Sequence, residues 1–177
     1  MFKTLFRSAA NRALIEKIHG GIVAAARQEA FYAAYGVPDT LEGRFEMVTL
    51  HAMLVLRALR HGPAPGPAMA SALSDAVFRH FDETLREMGV GDASIAKRMM
   101  QLAGAFVGRC SAYEASLAAE EQTALEAALR RNIFAPLSGD AARLTRYAKA
   151  CALLLKHLPP DEFAKTRQLF YAAAEIE

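Results

Sequence analysis

Apolar residues recur every three or four positions along almost the whole of this chain, and nowhere do they alternate with polar ones for long. That period belongs to helices and not to strands, so the expected fold class is all-α. Leu14, Ile18, Ile22, Ala25 and Ala26 mark one side of a first helical region, about Ser8 to Tyr35, with a bend expected at Gly20-Gly21. Phe45, Val48, Ala52, Val55 and Leu59 form the stripe of a second helix that runs to about His61. A third, from Pro67 to about Met88, carries Leu73, Val77, Phe78, Phe81, Leu85 and Met88. Ile95, Met99, Leu102, Phe106 and Tyr113 mark a fourth, Ala93 to Ala118. Shorter helices are expected over Glu121 to Ile133, Asp140 to His157, and from Pro159-Pro160 to about Glu175.

The punctuation fits this division. Gly36 suits a left-handed helix cap, and Pro38 disfavours helix in the residue before it. Asp39 is the natural N-cap of the second helix, with Glu42 three residues on as in a capping box. HGPAPGP, His61 to Pro67, is the clearest breaker, too short for a domain linker. Gly89 to Asp92 closes the third helix and starts the fourth, and Pro136 to Gly139 ends the fifth. The reading is one compact domain of six to seven helices across all 177 residues, a length that buries a real core.

Composition removes several function classes. With 53% hydrophobic and 23% charged residues, the chain is not globally disordered. A net charge of +2 gives no whole-molecule field demanding nucleic acid. Cys110 and Cys151 form no CxxC pair and sit in apolar helical patterns, as buried reduced thiols do. The apolar runs Ala150 to Leu155 and Ala52 to Leu56 fall far short of the roughly 20 residues that cross a bilayer. The start, MFKTLFRSAANRALIEK, lacks the apolar stretch of a signal peptide and is instead basic and amphipathic. A helix docked on the body and a helix lying on an anionic membrane both satisfy that pattern.

A search for chemistry returns little. No two of the five histidines stand at a metal-ligand spacing, and there is no P-loop, GxGxxG or GxSxG. No catalytic residue, metal site or cofactor is assigned. What remains is charge: Arg44, Glu46 and His51 on the second helix, Asp82 and Arg86 at i,i+4 on the third, then Arg86, Glu87 and Asp92 crowding a Gly-rich corner. Arg109 follows Gly108, where a small residue admits a close neighbour. From Arg130 to Lys156 the bases Arg130, Arg131, Arg143, Arg146, Lys149 and Lys156 face a single acid, Asp140. Arg143, Arg146 and Lys149 share one helical face, suited to ribosomal RNA, an anionic lipid surface or an acidic partner. Without interleaved aromatics, sequence-specific nucleic-acid reading is not expected.

Four blocks accumulate in order: VPDTLEGRFEMVTLH (Val37 to His51), FDETLREMGVGD (Phe81 to Asp92), Lys97-Arg98, and FVGR (Phe106 to Arg109) followed by Tyr113. Together they resemble the ubiquinol–cytochrome c chaperone family of alphaproteobacteria and mitochondria, over roughly Phe31 to Phe134. The helices after Pro136, about 140 to 175, carry no block of that kind. The resemblance implies an assembly factor for respiratory complex III that binds newly made cytochrome b and has no catalysis of its own. In mitochondria such proteins act with a second assembly factor near the ribosomal exit tunnel; a bacterial one would work in the cytoplasm, peripherally at the inner membrane.

On that reading the client or partner surface draws on Asp39, Arg44, Glu46, His51, Asp82, Arg86, Glu87, Asp92, Lys97, Arg98, Arg109 and Tyr113. Arg143, Arg146 and Lys149 would be the contact with an anionic surface. The Val37 to His51 block and the Leu85 to Asp92 corner are expected close together, Arg44 and Arg86 facing Glu46, Glu87 and Asp92. Of Met69, Phe78, Phe81, Met88, Met99, Met100 and Phe106, some are expected to stay exposed as an apolar face rimmed by Arg86, Lys97, Arg98 and Arg109. The alternative is a helical small-molecule or lipid-binding module without catalytic activity, which would show a closed apolar cavity.

Overall fold

A computed structural model describes residues 2–119, 123–166 and 168–176, with side chains from Asn11 onward. Helix α1 (Phe2–Ala26) continues unbroken through Gly20-Gly21. The helical pairing of the backbone holds there, and glycine costs an exposed helix only about 1 kcal/mol. The break falls instead at Arg27-Gln28, before the short α2 (Glu29–Ala33). The basic residues of the amphipathic start, Lys3 and Arg7, have side chains outside the described residues. Gly36 takes the left-handed conformation expected of it, with φ of +77°.

Next comes α3 (Leu41–His61), capped by Thr40 and not by Asp39: the Thr40 hydroxyl accepts from the Gly43 amide at 3.1 Å. Asp39 is turned outward to Arg44. Entry is tight, because a Cβ on Gly43 would lie 1.9 Å from the Pro38 carbonyl oxygen. From Glu46 to Leu56 every residue of α3 is buried. The sequence suggested a stripe; the helix is enclosed on all sides because α1, α4, α5 and α7 all pack on it. It is the axle of the bundle.

Helices α4 (Gly66–Glu87) and α5 (Asp92–Ala118) follow, so that α3, α4 and α5 run up, down and up. Leu73, Ala76, Val77 and Phe81 bury the inner face of α4. Rings then knit the three helices together: Phe45 meets Phe81 at 5.0 Å between centroids, and Phe78 meets Phe106 at 5.2 Å. Edge-on and tilted aromatic pairs of this kind add roughly 0.5–1.5 kcal/mol each beyond their buried area.

After α5 the chain forms α6 (Ala124–Leu129), which widens into a π-turn over Arg130–Phe134, and then α7 (Ala141–Lys156). Asp140 caps α7, its carboxylate accepting from the Arg143 amide at 2.8 Å. The expected last helix does not form. Pro160–Glu162 and Ala173–Glu175 are single 3₁₀ turns, and between them the described chain is irregular. Tertiary bonds hold this strap: Gln28 Oε1 accepts from the Ala173 amide at 2.8 Å, and the Tyr35 hydroxyl donates to the Ala173 carbonyl at 2.7 Å. Phe163, Phe170 and Ala173 are buried beneath it. Anchors at those positions outweigh a weak helical preference. Among the described residues there is no strand.

Candidate functional site

Phe45 of the first charged block packs on Phe81, one helical turn before the Leu85 to Asp92 corner, at 5.0 Å between ring centroids. The charges of the two blocks do not face one another as expected. Arg44 pairs with Asp39 at 2.7 Å, inside its own block. Arg86 bridges Asp82 at 2.7 Å and Asp92 at 3.0 Å, inside the other. Gly89, with φ of +76°, makes the turn that brings Asp92 round to Arg86. Glu87 is exposed beside them. Exposed pairs of this kind contribute roughly 0–1 kcal/mol each, so they shape the corner more than they hold it.

Glu46 goes elsewhere. It points at Arg109 of α5, Nη2 to Oε1 at 2.8 Å, with Nε within 3.0 Å of the same oxygen. The Glu46 side chain is 7% exposed and that of Arg109 30%. Burial raises the Glu46 pKa, and Arg109 opposes the rise. Tyr113, one helical turn on, is fully buried; desolvation and then Glu46 push its hydroxyl pKa upward. Further along, Arg57 donates to Glu114 at 3.0 Å, with His61 at 3.1 Å from the same carboxylate. These bonds fix the rotation of α5 on α3. Gly108 is not needed for close packing inside the fold, because nothing lies within 4 Å of where its Cβ would stand.

His51 lies inside the protein and lines no surface. Its Nδ1–H donates to the Met47 carbonyl at 2.7 Å, which leaves Nε2 to accept from the Tyr147 hydroxyl at 2.9 Å. Phe31 and Phe170 close over the ring. Desolvation lowers the pKa to about 4, so the imidazole is neutral at physiological pH. Sequence reasoning passed over another histidine pair. His19 and His80 meet between α1 and α4 at 5.1 Å, and His19 Nε2 is buried without a hydrogen bond. Burial first lowers both pKa values. Arg79 reaches Glu16 of α1 at 2.6 Å.

What these inner contacts leave is the outer face of α5. In its 27 residues only Ile95, Phe106 and Tyr113 are buried, on the side toward α3 and α4. Met100 is 73% exposed and Val107 59%, one heptad apart on the opposite side. Gly104 and Gly108 lie between and beside them, with open space where a side chain would stand. Met88, 54% exposed, stands at the corner that leads into α5. Of the seven apolar residues expected to divide between core and face, Met69, Phe81 and Phe106 are buried, and Phe78 and Met99 pack partly against the core. Only Met88 and Met100 reach outward. Lys97 and Arg98 are exposed on this helix and make no ion pair among the described residues.

In α7, Arg143 is half-buried: its guanidinium lies 4.4 Å over the Tyr35 ring and its Nε donates to the Ile176 carbonyl. It is committed to the C-terminal strap. Arg146 is exposed and Lys149 half-buried on the same helix. The cysteines are both free; Cys151 is buried and Cys110 half-buried, with burial pushing the Cys110 thiol up to about 12.

Among the described residues no group of three His, Cys, Asp or Glu side chains could hold a metal, and no helix is long and apolar enough to cross a membrane. A half-open cleft of about 410 Å³ lies between α1 and the C-terminal strap, lined by Gly21, Ala25, Phe163 and Leu169 among others.

The family model described as ubiquinol-cytochrome C chaperone matches residues 33–170, well past Phe134 and through α7. The whole chain is similar to the crystal structure of the Cbp3 homolog from Brucella abortus, at 38% identity and a TM-score of 0.87, with 100% of both chains covered. No curated protein matches the chain.

Proposed function

Because the chain belongs to the ubiquinol-cytochrome C chaperone family, we propose that it is a non-enzymatic assembly factor for respiratory complex III that binds newly made cytochrome b. The observation that carries this reading is the outer face of α5. Met100 and Val107, with Met88 at the corner, present apolar side chains to water along a helix that has no partner on that side among the described residues. A newly made membrane protein offers apolar helical segments, and such a segment lies well along an exposed apolar track. Methionine adapts to varied apolar partners because its side chain is flexible and polarizable. Gly104 and Gly108 let a second backbone approach closely. Lys97, three residues before Met100, supplies a basic edge.

Seen this way, the sequence-derived surface separates into two groups. Glu46, Arg109, Tyr113 and His51 hold α5 and α3 from inside, whereas Asp39, Arg44, Asp82, Arg86, Glu87, Asp92, Lys97 and Arg98 have exposed or partly exposed side chains. A second assembly factor and the ribosome are further partners under this proposal, with the protein working in the cytoplasm at the inner membrane. Met100→Asp with Val107→Asp is the test. Newly made cytochrome b should no longer co-purify, while the thermal midpoint stays unchanged because both sites are exposed. Normal co-purification by this variant would remove the assignment of the face.

A further inference from the structure

The half-open cleft between α1 and the C-terminal strap plays no part in the client-binding proposal. Its volume of about 410 Å³ falls within the range of small-molecule sites, about 300–1,000 Å³. Lys17, Gly21 and Ala24 follow one line along α1 and, with Ala25, form a wall about 12 Å long. Phe163, Leu169 and Phe170 of the strap, all buried, make the apolar side opposite. The strap seats tightly on α1 at Gly21, where an added Cβ would lie 3.1 Å from Leu169 Cδ1. Among the described residues that line the cleft there are two lysines and no acid. Lys165 is already held by Asp161 at 2.7 Å and Glu162 at 3.0 Å. Lys17 is exposed and makes no ion pair among the described residues, and the adjacent Glu16 is taken by Arg79. Gln28, beyond the other end of the wall, is spent on the Ala173 amide.

We propose that this cleft binds a single fatty acid, its chain lying between α1 and the strap and its carboxylate at the Lys17 ammonium. Apolar walls with one unpaired cation at the end call for a ligand that is long, apolar and singly negative at its tip. A neutral apolar ligand would leave Lys17 without a role. A polyanion such as a nucleotide would meet Phe163 and Leu169 where it needs polar partners. The cleft is open to water on one side and Lys17 is exposed, so the charge contribution is modest and weakens with salt. A chain that touches both walls also ties the strap to α1. The inference stands apart from the α5 face and from the identity of any client.

Calorimetric titration of the full chain with dodecanoate, kept below its micelle-forming concentration, tests this. One-to-one binding is expected, with a raised thermal midpoint and slower hydrogen exchange over residues 168–172 but not in α5. Dodecyltrimethylammonium, with the same chain and the opposite charge, should not bind. Lys17→Glu should weaken dodecanoate binding about tenfold, because reversal removes an attraction and adds a repulsion. Ala24→Phe should abolish it by filling the mouth of the cleft. Both variants should melt like the parent without ligand, since both sites are exposed. Met100→Asp with Val107→Asp should bind dodecanoate normally. No binding of dodecanoate by the parent chain overturns the proposal. So does binding that survives Lys17→Glu and Ala24→Phe, or that is lost only in the α5 variant. Tighter binding of lysophosphatidylglycerol than of dodecanoate would overturn the assignment to a fatty acid.

Discussion

Removing the Arg109 guanidinium should destabilise the fold through the carboxylate it leaves behind. Glu46 is 7% exposed on its side chain, and its polar partner is Arg109. Breaking a buried pair by deleting one member costs about 3–5 kcal/mol. Arg109 itself is 30% exposed, so water reaches the outer edge of the pair. Arg109→Met is therefore expected to cost about 2–3 kcal/mol at pH 7. The sign of the pH effect follows from the direction of the shift. Burial already raises the Glu46 pKa, and Arg109 opposes that rise. Without Arg109 the carboxyl titrates higher still, so the deficit grows as pH climbs through the new pKa and shrinks at lower pH, where Glu46 is protonated. Glu46→Gln should cost less, about 1 kcal/mol, because a partly exposed guanidinium can turn to water. Combining the two should recover about 2 kcal/mol relative to additivity. Urea denaturation of the four proteins at pH 7 and pH 5 measures the cycle. Additive losses, or an Arg109→Met deficit that deepens at pH 5, would refute this reasoning.

Two further outcomes follow from the interior. His51 titrates near 4 in the fold against 6.5 when unfolded, so its stabilising contribution is complete above pH 6.5 and is lost as pH falls toward 4. That loss is about 3 kcal/mol, with His19 and His80 adding in the same direction, and His51→Gln should flatten the stability–pH curve in that window. Gly43→Ala should lose at least about 2 kcal/mol in chemical denaturation, because its Cβ would sit 1.9 Å from the Pro38 oxygen; a wild-type midpoint would show that the α3 entry relaxes.

Much of the fold was legible because local signals and tertiary contacts agree there. The end of α3 at His61, the left-handed Gly36 and the start of α7 at Asp140-Ala141 were all written in short-range chemistry. Where two local options were close in energy the sequence misled: Thr40 and Asp39 both cap helices well, and the Arg44 guanidinium drew Asp39 outward. The C-terminal segment after Pro160 reads as helix by composition, yet Gln28 and Tyr35, more than a hundred residues away, fix it as a strap. No periodicity carries such information. Glu46 and Arg109 were each singled out, but their pairing depends on the rotation of α5 about its axis, which contacts distant in sequence set together. Exposed Met100 could not be told from buried Phe106 by residue type, since both are ordinary core residues.

The central claim is that the outer face of α5 receives the client. A photo-crosslinking amino acid placed at Met100, with a second protein carrying it at Ser71 of α4 as an exposed control, tests it during synthesis of cytochrome b in growing cells. The account predicts a crosslink to newly made cytochrome b from position 100 and none from position 71. Crosslinks from position 71 alone, or from neither position while cytochrome b still co-purifies, would contradict it.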